Sequence, residues 1–366
     1  MDSSELIYRI ALTLLPQIGP ITGKKLISYC GGVKEVFETS QKDLNKIPGI
    51  GVLLIKTLRE KGVFDRAEKE IKFIQENNIE PLFYLDKDYP QNLLPLPDSP
   101  IMIYQKGNTK LNGYRTVGIV GTRKPTPEGI MHCETLVEHL KNYGIQIISG
   151  LAYGIDACAH RKSVELSISN IGVLGHSLDM IYPYHHKALA KAIQNCGALV
   201  SEFPSKTEPD KERFPMRNRI IAGMSDALIV IETAKTGGSM ITADMAFNYN
   251  KDVFAFPGRP QDTYSQGCNL LIKQNKAALI ENAKDFIDQM LWDQLDETKS
   301  IQTQLFVNLE PQEKAIVEYL KENQKITIDQ LAYQFNTSQS ELASLLLNLE
   351  FKGIVKSLPG KRFILS

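Results

Sequence analysis

Phe214-Pro-Met-Arg-Asn-Arg-Ile-Ile-Ala-Gly-Met-Ser-Asp-Ala-Leu-Ile-Val-Ile-Glu-Thr, with Thr236-Gly-Gly-Ser-Met-Ile-Thr-Ala just after it, is the stretch of sequence that decides the fold. A helical pattern carrying Arg217, Asn218 and Arg219 leads into a fully apolar strand at 227–231. A glycine-rich turn at 236–239 then opens another helix. Guanidiniums and a helix N-terminus at the same end of a sheet both favour negative charge. The stretch therefore predicts an anion-binding site at that edge.

The same alternation of apolar run and helix extends over residues 116–290. Its apolar runs lie at 117–120, 145–148, 171–174, 198–200, 227–231, 253–256 and 277–280. Nearly continuous apolar strands between helices are typical of a parallel sheet that is buried on both faces. We therefore predict an α/β core, 113–292, with a doubly wound, extended Rossmann-like parallel sheet.

The residues before this core have a different sequence pattern. Residues 1–80 have the pattern of short helices, with two similar turns, Leu15-Pro-Gln-Ile-Gly-Pro and Ile47-Pro-Gly-Ile-Gly. These turns resemble a helix-hairpin-helix pair, so we expect a helical domain similar to a SAM or helix-hairpin-helix domain. The alternative is that Gly and Pro only separate the helices of a small bundle. The proline-rich segment 81–112 is predicted to be a linker that packs on the core, with a strand at 101–104.

The residues after the core predict a separate small domain. A charged break at 293–300 precedes a unit at 305–366. Helices are predicted at 311–322, 327–335 and 339–351, with a turn at Asn336-Thr-Ser. A hairpin, 354–357 and 362–365, turns at Pro359-Gly360. This order predicts a winged helix. Its third helix has no Lys or Arg before Lys352, which favours protein–protein or self-association over recognition of duplex DNA.

Composition narrows the class of protein. Over 366 residues, 42 Lys plus Arg balance 42 Asp plus Glu, which argues against a surface coated in positive charge. Five cysteines without CxxC spacing are expected to be free thiols in a reducing compartment. We see no signal peptide and no apolar run of the roughly 20 residues that cross a bilayer, so a cytoplasmic protein without a membrane partner is expected.

The ends of the predicted strands collect small polar residues at one edge, which we call the rim. They are Gly121-Thr122-Arg123, Ser149-Gly150, Gly175-His176-Ser177, Ser201-Glu202, Glu232-Thr233 and Pro257-Gly258. Arg123, Lys187, Arg217 and Arg219 stand near them. Neither GxxxxGK[ST] nor GxGxxG is present, which disfavours a P-loop nucleotide site and a dinucleotide site. Because the cations spread over several strand ends, a phosphodiester chain suits the rim better than one nucleotide.

Aromatic residues near the rim are candidates for stacking on bases. Tyr182 and Tyr184, which flank Pro183, are the best placed, and Phe203, Phe214 and His176 are further candidates. Phe214, before Pro215 at a helix start, has an alternative role as a hydrophobic staple into the core.

Few residues of the sequence have a spacing typical of catalytic or metal-binding sites. Ser149, Asp156 and His160 form a conceivable triad or ligand set, but a carboxylate in the first turn of a helix and a hydrogen-bonded His need no chemistry. Adjacent His185 and His186 point in different directions on a helix. We therefore predict no catalytic residue, no metal and no cofactor.

An ordered set of short blocks resembles the DNA-processing protein A (DprA, also called Smf) family. The blocks are Ile119-Val-Gly-Thr-Arg, Ile148-Ser-Gly-Leu-Ala-Tyr-Gly-Ile-Asp, Ala159-His, Val173-Leu-Gly, Ile181-Tyr-Pro, Leu199-Val-Ser-Glu-Phe-Pro, Phe214-Pro-Met-Arg-Asn-Arg-Ile-Ile-Ala, Ser239-Met-Ile-Thr-Ala and Phe256-Pro-Gly. They cover about residues 115–275. The flanking helical domain and winged helix also resemble the longer members.

The resemblance implies a non-enzymatic single-stranded DNA-binding protein of natural transformation. It would protect incoming strands, load the recombinase RecA and act as a homodimer. About residues 263–290 are the expected recombinase surface. Where members often have Gly-x-Gly-Leu-Asp, this chain has Gly175-His-Ser-Leu-Asp, which suggests stacking on His176. Residues and resemblance together select these DNA-contacting positions: Gly121, Thr122, Arg123, Ser149, Gly150, His176, Lys187, Arg217, Asn218, Arg219, Gly237, Gly238 and Ser239.

Two other functions fit parts of the sequence. The stretch 232–243 resembles the related nucleoside-monophosphate phosphoribohydrolases, which have Pro-Gly-Gly-x-Gly-Thr followed by a catalytic Glu. Here the second Gly-Thr and the Glu are missing, and Asp244 would be a poor substitute. A ligand-sensing transcription regulator that uses the winged helix is the third candidate, and its acidic, Leu-rich third helix argues against it.

Overall fold

The structure, a computed structural model, describes residues 3–60, 62–292, 309–323, 326–335, 337–358 and 362–365. The chain divides into two compact units, Met1–Gln294 and Leu295–Ser366. The domain limits expected near residues 80 and 112 fall inside the first unit, and they stay predictions. The break expected at 293–300 and the start of the last domain at 305 lie outside the described residues.

The first unit begins with a set of helices: α1 Ser3–Leu14, α2 Pro20–Cys30, α3 Val33–Glu38, α4 Gln41–Leu44, α5 Val52–Thr57 and α6 Val63–Glu76. Their apolar faces share one core, which includes Ile10, Leu26 and Leu44. The same core extends to residues of the sheet such as Met102 and Leu199. Burial of apolar surface is what holds these short helices on the sheet, because helices of this length are marginal alone.

The two glycine-containing turns of this segment have the same local structure. Residues 17–19 and 49–51 correspond position by position: a residue with positive φ (65° at Gln17, 81° at Gly49), a buried isoleucine, and an extended glycine before α2 or α5. The resemblance between the two sequences is therefore also a resemblance of backbone.

A nine-stranded sheet forms the centre of the first unit. Its strands are β1 Glu80–Phe83, β2 Met102–Gly107, β3 Arg115–Gly121, β4 Ile145–Ser149, β5 Asn170–Val173, β6 Ala198–Ser201, β7 Ala227–Ile231, β8 Asp252–Ala255 and β9 Ala278–Leu279. Their order is β1-β2-β6-β5-β4-β3-β7-β8-β9. Strands β3 to β9 pair in parallel, whereas β2 is antiparallel to β6 and β1 to β2. All seven parallel strands match apolar runs that the sequence predicted.

The segment 81–112 contributes more to the sheet than a linker would. The strand expected at 101–104 is present as β2, and β1 adds an edge strand that the sequence did not predict. Pro81 lies in this edge strand, where a residue without an N–H group costs no ladder hydrogen bond on the open side.

Helices cover both faces of the parallel strands. They are α7 Pro127–Leu140, α8 Ile155–Glu165, α9 Lys187–Cys196, α10 Arg213–Met224, α11 Gly238–Asn248, α12 Gln266–Lys273 and α13 Ala283–Met290. Helices α7, α8 and α13 share an apolar cluster with one face, and α10, α11 and α12 with the other. This arrangement is the doubly wound α/β fold, and the prediction of that fold is confirmed. In the part of the chain that the structure describes, no helix is both long and apolar enough to cross a membrane.

The second unit has its own apolar core, around Leu320, Leu331 and Leu346. Its elements are α14 Pro311–Glu322, β10 Ile326–Thr327, α15 Ile328–Phe335, α16 Gln339–Phe351, β11 Val355–Leu358 and β12 Arg362–Leu365. Three helices and a sheet of order β10-β12-β11 make a winged helix, as predicted. The turn residues Asn336, Pro359 and Gly360 lie outside the described residues.

Candidate nucleic-acid interface

A cleft of about 460 Å³ opens at the carboxyl ends of β3 and β7. The chain continues from β3 to β4 on one side and returns to β7 on the other, so this is the point where the strand order reverses. Ligands of open α/β sheets bind at such points. The cleft is lined by residues of four regions: the end of β3, the loop after β4 with the start of α8, the first turns of α10 with the loop before it, and the start of α11 with the loop before it. They are Val120, Gly121, Thr122, Arg123, Ala152, Asp156, Lys211, Phe214, Pro215, Arg217, Asn218, Ile221, Thr233, Ala234, Gly237, Gly238, Ser239, Ile241 and Thr242, together with Tyr264.

Arg123 is the predicted contact that faces outward from this cleft. Its side chain is exposed, and its guanidinium carbon lies 5.8 Å from the ring centroid of Phe214. The Phe214 ring lies in turn 5.9 Å from that of Tyr182, whose side chain is half exposed. A cation and two aromatic rings therefore follow one another along the rim, and the Phe214 ring is part of the surface instead of a staple into the core.

Lys187 begins α9 at the same rim but does not line the cleft. Its ammonium nitrogen is 5.8 Å from the Tyr184 ring, and Tyr184 is 74% exposed. Tyr153, on the loop after β4, is also exposed and contacts the His186 ring at 5.1 Å. These residues extend the exposed aromatic and cationic surface from the cleft toward α9. Tyr182 and Tyr184, the preferred candidates for base stacking, are both exposed, and their stacking on bases stays a prediction.

Arg217 is a predicted phosphate contact whose guanidinium is occupied by groups of the protein. Although it lines the cleft, it is only 4% exposed, and its Nη1 donates hydrogen bonds to the carbonyl oxygens of Gly150 and Val173. Burial lowers the pKa of Arg217 to about 10, which leaves it charged at neutral pH. Its main role is to join the ends of β4 and β5, because the guanidinium satisfies carbonyls that the parallel ladder leaves open.

Arg219 is a second predicted phosphate contact that is buried and occupied by groups of the protein. Its Nη2 forms an ion pair with Glu202, and its Nη1 donates to the Asp98 carbonyl oxygen. Burial raises the pKa of Glu202, and the charge of Arg219 opposes that shift. A guanidinium that already neutralises a buried carboxylate has no free charge for a phosphate, so Arg219 is a structural residue below the rim.

Three further predicted contacts are buried in local hydrogen bonds. The His176 ring is 1% exposed, with Nδ1 2.9 Å from the Ser177 carbonyl and Nε2 accepting from the Tyr182 amide. The ring is not exposed in this structure, and its stacking on a base stays a prediction. Ser149 donates its hydroxyl to the Ile119 carbonyl at 2.6 Å and is inaccessible. Gly150 is covered by the Arg217 guanidinium, which a Cβ at position 150 would strike.

The predicted glycine turn lies where expected. Gly237 stands just before α11 and Gly238 begins it, with no side chain capping its amide groups. A Cβ at Gly238 would meet open space, whereas one at Gly237 would strike the Thr233 hydroxyl. Ser239 donates its hydroxyl to Thr233 at 2.7 Å. Together with Gly121, Thr122 and Asn218, these residues line the cleft, so its floor presents the N-terminus of an eleven-residue helix.

The comparisons with known proteins decide the family. A sequence profile described as DNA recombination-mediator protein A matches residues 80–291. The chain belongs to this family. A second profile, the DprA winged helix domain, matches residues 303–361. Both matches agree with the resemblance that the sequence blocks suggested.

Individual relatives are similar over most of the chain. Protein Smf of Synechocystis is 31% identical over 99% of both chains. DNA processing protein DprA of Bacillus subtilis is 38% identical over 62% of this chain and 76% of its own. The crystal structure of DNA processing protein A from Streptococcus pneumoniae superposes with a TM-score of 0.64 and 30% identity, over 78% of this chain and 97% of that one. DprA from Helicobacter pylori, studied for its single-stranded DNA binding mode, has a TM-score of 0.53 and 32% identity, over 58% of this chain and 95% of that one.

Within this DprA-family chain, the fold adds to the cleft a cation and a phenol ring that the sequence did not predict. Lys211, in the loop between β6 and α10, is exposed and adds a second exposed cation to the cleft that Arg123 lines. Tyr264, between β8 and α12, adds a phenol ring. Lys211 stands three residues before Phe214 in a charged run, and that proximity to the decisive stretch was the available signal. Tyr264 had no such signal, since only the fold brings it to the cleft.

The residues considered for catalysis have structural partners. Asp244 forms an ion pair with Lys276 at 2.6 Å and does not line the cleft. Glu232 accepts hydrogen bonds from the amide and hydroxyl of Thr126, at the N-terminus of α7. The second Gly-Thr of the hydrolase pattern is missing from the sequence, and Asp244 and Glu232 are both engaged in contacts within the protein.

Asp156 and His160, which were also considered for catalysis, are both buried among groups of the protein. The His160 Nδ1 is 3.0 Å from the Asn170 amide oxygen, and burial lowers the pKa of His160 to about 4. Burial raises the pKa of Asp156, and the nearby Arg217 charge opposes the shift. His186 Nδ1 contacts the Leu151 carbonyl oxygen at 2.9 Å. Among the described residues, no group of His, Cys, Asp and Glu could hold a metal ion.

Proposed function

We propose that this chain binds single-stranded DNA along the rim of its parallel sheet. The observation that carries the proposal is the run of Arg123, Phe214 and Tyr182 beside the cleft. The Arg123 guanidinium carbon lies 5.8 Å from the Phe214 ring centroid, which lies 5.9 Å from that of Tyr182. A single strand exposes both phosphates and base faces, and a surface that alternates cations with exposed rings complements both. Base stacking on an aromatic ring contributes about 1–3 kcal/mol per base without regard to sequence.

Three exposed cations are the proposed phosphate contacts: Arg123, Lys187 and Lys211. The amide groups at the start of α11, beside Gly237 and Gly238, are the proposed site of a further phosphate. Arg217 and Arg219 support the rim from below without contacting the strand. A local cluster of this kind is compatible with the zero formal net charge of the chain, because the attraction acts within about one Debye length, roughly 8–10 Å at physiological salt.

The relatives support the same ligand. The Helicobacter pylori DprA was studied for its single-stranded DNA binding mode, and it is 32% identical over a region covering 58% of this chain. The region of this chain matched by the family profile, 80–291, contains every residue of the rim. We therefore assign the ligand class to this chain by similarity as well as by the chemistry of the rim.

The test is fluorescence anisotropy with a labelled single-stranded oligonucleotide and a matched duplex over a salt series. The double variant Arg123→Ala plus Lys187→Ala should weaken single-strand binding by roughly tenfold to hundredfold, because two charge-assisted contacts are lost. Its salt slope should fall by about 1.4, since each neutralised phosphate contributes about 0.7 on single strands. The matched control is Lys141→Ala plus Lys273→Ala, which removes two exposed charges from the opposite edge of the sheet.

If the rim variant and its control bound single-stranded DNA with equal affinity, the binding site would not lie at the rim. Absence of single-strand binding by the unmodified chain would reject the function itself.

We further propose that the chain is a homodimer that loads RecA onto single-stranded DNA in the cytoplasm during natural transformation or recombination. Two rims in one dimer would raise the effective concentration of binding sites along a strand. Residues 263–290, which include the exposed Leu279, are the proposed recombinase surface. Sedimentation equilibrium at micromolar concentration should give twice the mass of one chain. Addition of the chain should accelerate ATP hydrolysis by RecA on strands coated with single-strand-binding protein, and no acceleration would contradict the loading role.

A further inference from the structure

Glu70 of α6 is a buried carboxylate that holds a loop of the sheet. Its side chain is 1% exposed, Oε1 accepts from the Ser205 amide at 2.8 Å, and Oε2 accepts from the Ser205 hydroxyl at 2.6 Å. Arg66, one turn earlier, donates to Glu70 at 2.8 Å and to the Ser205 carbonyl at 2.8 Å. All three polar groups of Ser205 therefore bind α6.

A second contact fixes the same part of the loop from the other side. The amide of Lys206 donates to the Asp179 carboxylate at 3.2 Å, and the amide of Thr207 donates to the Ser177 hydroxyl at 3.1 Å. Residues 205–207 are therefore held between α6 and the loop after β5.

The residues that follow this anchor belong to the rim. Residues 208–212 form local hydrogen bonds: the Glu212 amide donates to Asp210 at 2.9 Å, and the Arg213 amide donates to the Asp210 carbonyl oxygen at 3.2 Å. Lys211 lines the cleft, and Arg213 begins α10, on which Phe214 lies. The path of the chain to Lys211 is thus set by the anchor at 205–207 and by the start of α10.

We propose that Glu70 is a positioning residue for single-stranded DNA binding, acting through Ser205 to hold the loop that carries Lys211. The inference rests on the proposed function. A carboxylate in this position is costly to bury, and it is retained here with three charge-assisted hydrogen bonds to it. Through it the N-terminal helices influence DNA binding at the rim without contacting the strand.

The test compares Glu70→Gln with Glu76→Gln on the same helix, where Glu76 is exposed and forms an ion pair with Lys72 at 3.8 Å. Glutamine has nearly the same volume as glutamate, but its amide has one acceptor oxygen where the carboxylate has two. Its NH2 group would therefore face a donor of Ser205 or Arg66 without accepting a hydrogen bond. Both variants are first checked by thermal unfolding, so that the assays run below the melting transition. The first readout is trypsin cleavage at Lys206 and Lys211. We expect cleavage roughly tenfold faster in E70Q, because local opening becomes easier, and unchanged in E76Q.

The second readout is a double-mutant cycle with Lys211→Ala, measured as single-strand affinity. We expect E70Q to weaken binding by about 3- to 10-fold, and Lys211→Ala to weaken the unmodified chain but to have little further effect in E70Q. A merely structural role for Glu70 would leave the effect of Lys211→Ala the same in both backgrounds. That result, or unchanged cleavage and affinity in E70Q, would overturn the inference alone. Failure of the unmodified chain to bind single-stranded DNA would overturn the proposed function and this role with it.

Discussion

At the scale of single residues, three arginines predicted to bind the same anion divide between two tasks. Arg123 is exposed beside Phe214, whereas Arg217 and Arg219 are buried against carbonyls and Glu202. The sequence placed all three near the carboxyl ends of the strands. It did not indicate which arginines would be occupied by hydrogen bonds or ion pairs within the protein. Their partners Gly150, Val173 and Glu202 come from distant segments that only the folded sheet brings together.

The first prediction separates the two tasks. Arg217→Ala should lower the free energy of unfolding by about 3–5 kcal/mol, because it leaves buried carbonyls and Asp156 without their cationic partner. Arg123→Ala should change it by no more than about 0.5 kcal/mol, since exposed side chains contribute little, while weakening single-strand binding. Urea unfolding of both variants measures the difference. Comparable stabilities for the two variants would show that the buried contacts of Arg217 are not structural.

A second prediction concerns two glycines of the predicted site. Gly150→Ala should cost about 1–3 kcal/mol of stability, because its Cβ would strike the Arg217 guanidinium. Gly238→Ala should be tolerated by the fold, since a Cβ there meets open space. Should the amides at the start of α11 contact a phosphate, Gly238→Ala will nonetheless weaken single-strand binding. Urea unfolding and anisotropy on the same two variants check both statements, and equal stabilities would contradict the first.

The third prediction uses the buried His160. Burial lowers its pKa from 6.5 to about 4, so the unfolded chain binds the extra proton between these values. The contribution of this residue to stability is therefore complete above pH 6.5 and is lost as the pH falls toward 4. The stability of the unmodified chain relative to His160→Gln should decline by up to about 3 kcal/mol from pH 7 to pH 4. Urea unfolding at several pH values measures it, and a difference independent of pH would mean that His160 titrates normally.

At the scale of elements, the two hairpins near the N-terminus show how far local sequence determines local structure. Their shared Pro, Ile and Gly positions predicted equivalent turns, and the backbone at 17–19 and 49–51 is equivalent. The one difference is that Gln17 has φ 65° where the second turn has glycine with φ 81°.

The fourth prediction follows from that difference. Gln17→Gly should raise the free energy of unfolding by roughly 0.5–1 kcal/mol, because a non-glycine residue with positive φ is strained. Gly49→Ala, the reciprocal change, should lower it by a similar amount. Thermal unfolding of the pair checks the sign, and a loss of stability in Gln17→Gly would indicate that the exposed Gln17 side chain makes a contact of its own.

Other elements were harder to predict. The parallel strands were predicted from their apolar runs because both faces are buried, which leaves a continuous pattern. Strand β1 escaped prediction since it is short, contains Pro81, and is fixed mainly by pairing with β2. Proximity to Phe214 was a signal for Lys211, but the contact of Glu70 with Ser205 in the same loop joins segments far apart in the chain and had no signal in the sequence.

At the scale of the whole molecule, the proposed DNA binding depends on a local group of charges and not on the net charge of the chain. Equal numbers of acidic and basic residues give zero formal net charge, so long-range attraction to a polyanion is weak. The exposed cations Arg123, Lys187 and Lys211 are concentrated with aromatic rings at one rim. The family and the doubly wound fold were both predictable from the sequence, because they depend on blocks and patterns within 115–275. The division of labour among the arginines required the assembled sheet.

Photocrosslinking of an oligonucleotide containing 5-iodouracil, followed by mass spectrometry of the crosslinked peptides, tests the central claim most directly. Iodouracil reacts with aromatic side chains that stack on it, so the adducts report which rings contact the bases. Our account predicts adducts on Tyr182 and Phe214, with Tyr184 next, and their loss in Arg123→Ala plus Lys187→Ala. Adducts confined to residues 3–76 or 309–365 would contradict it and would place the single strand on the terminal segments of the chain.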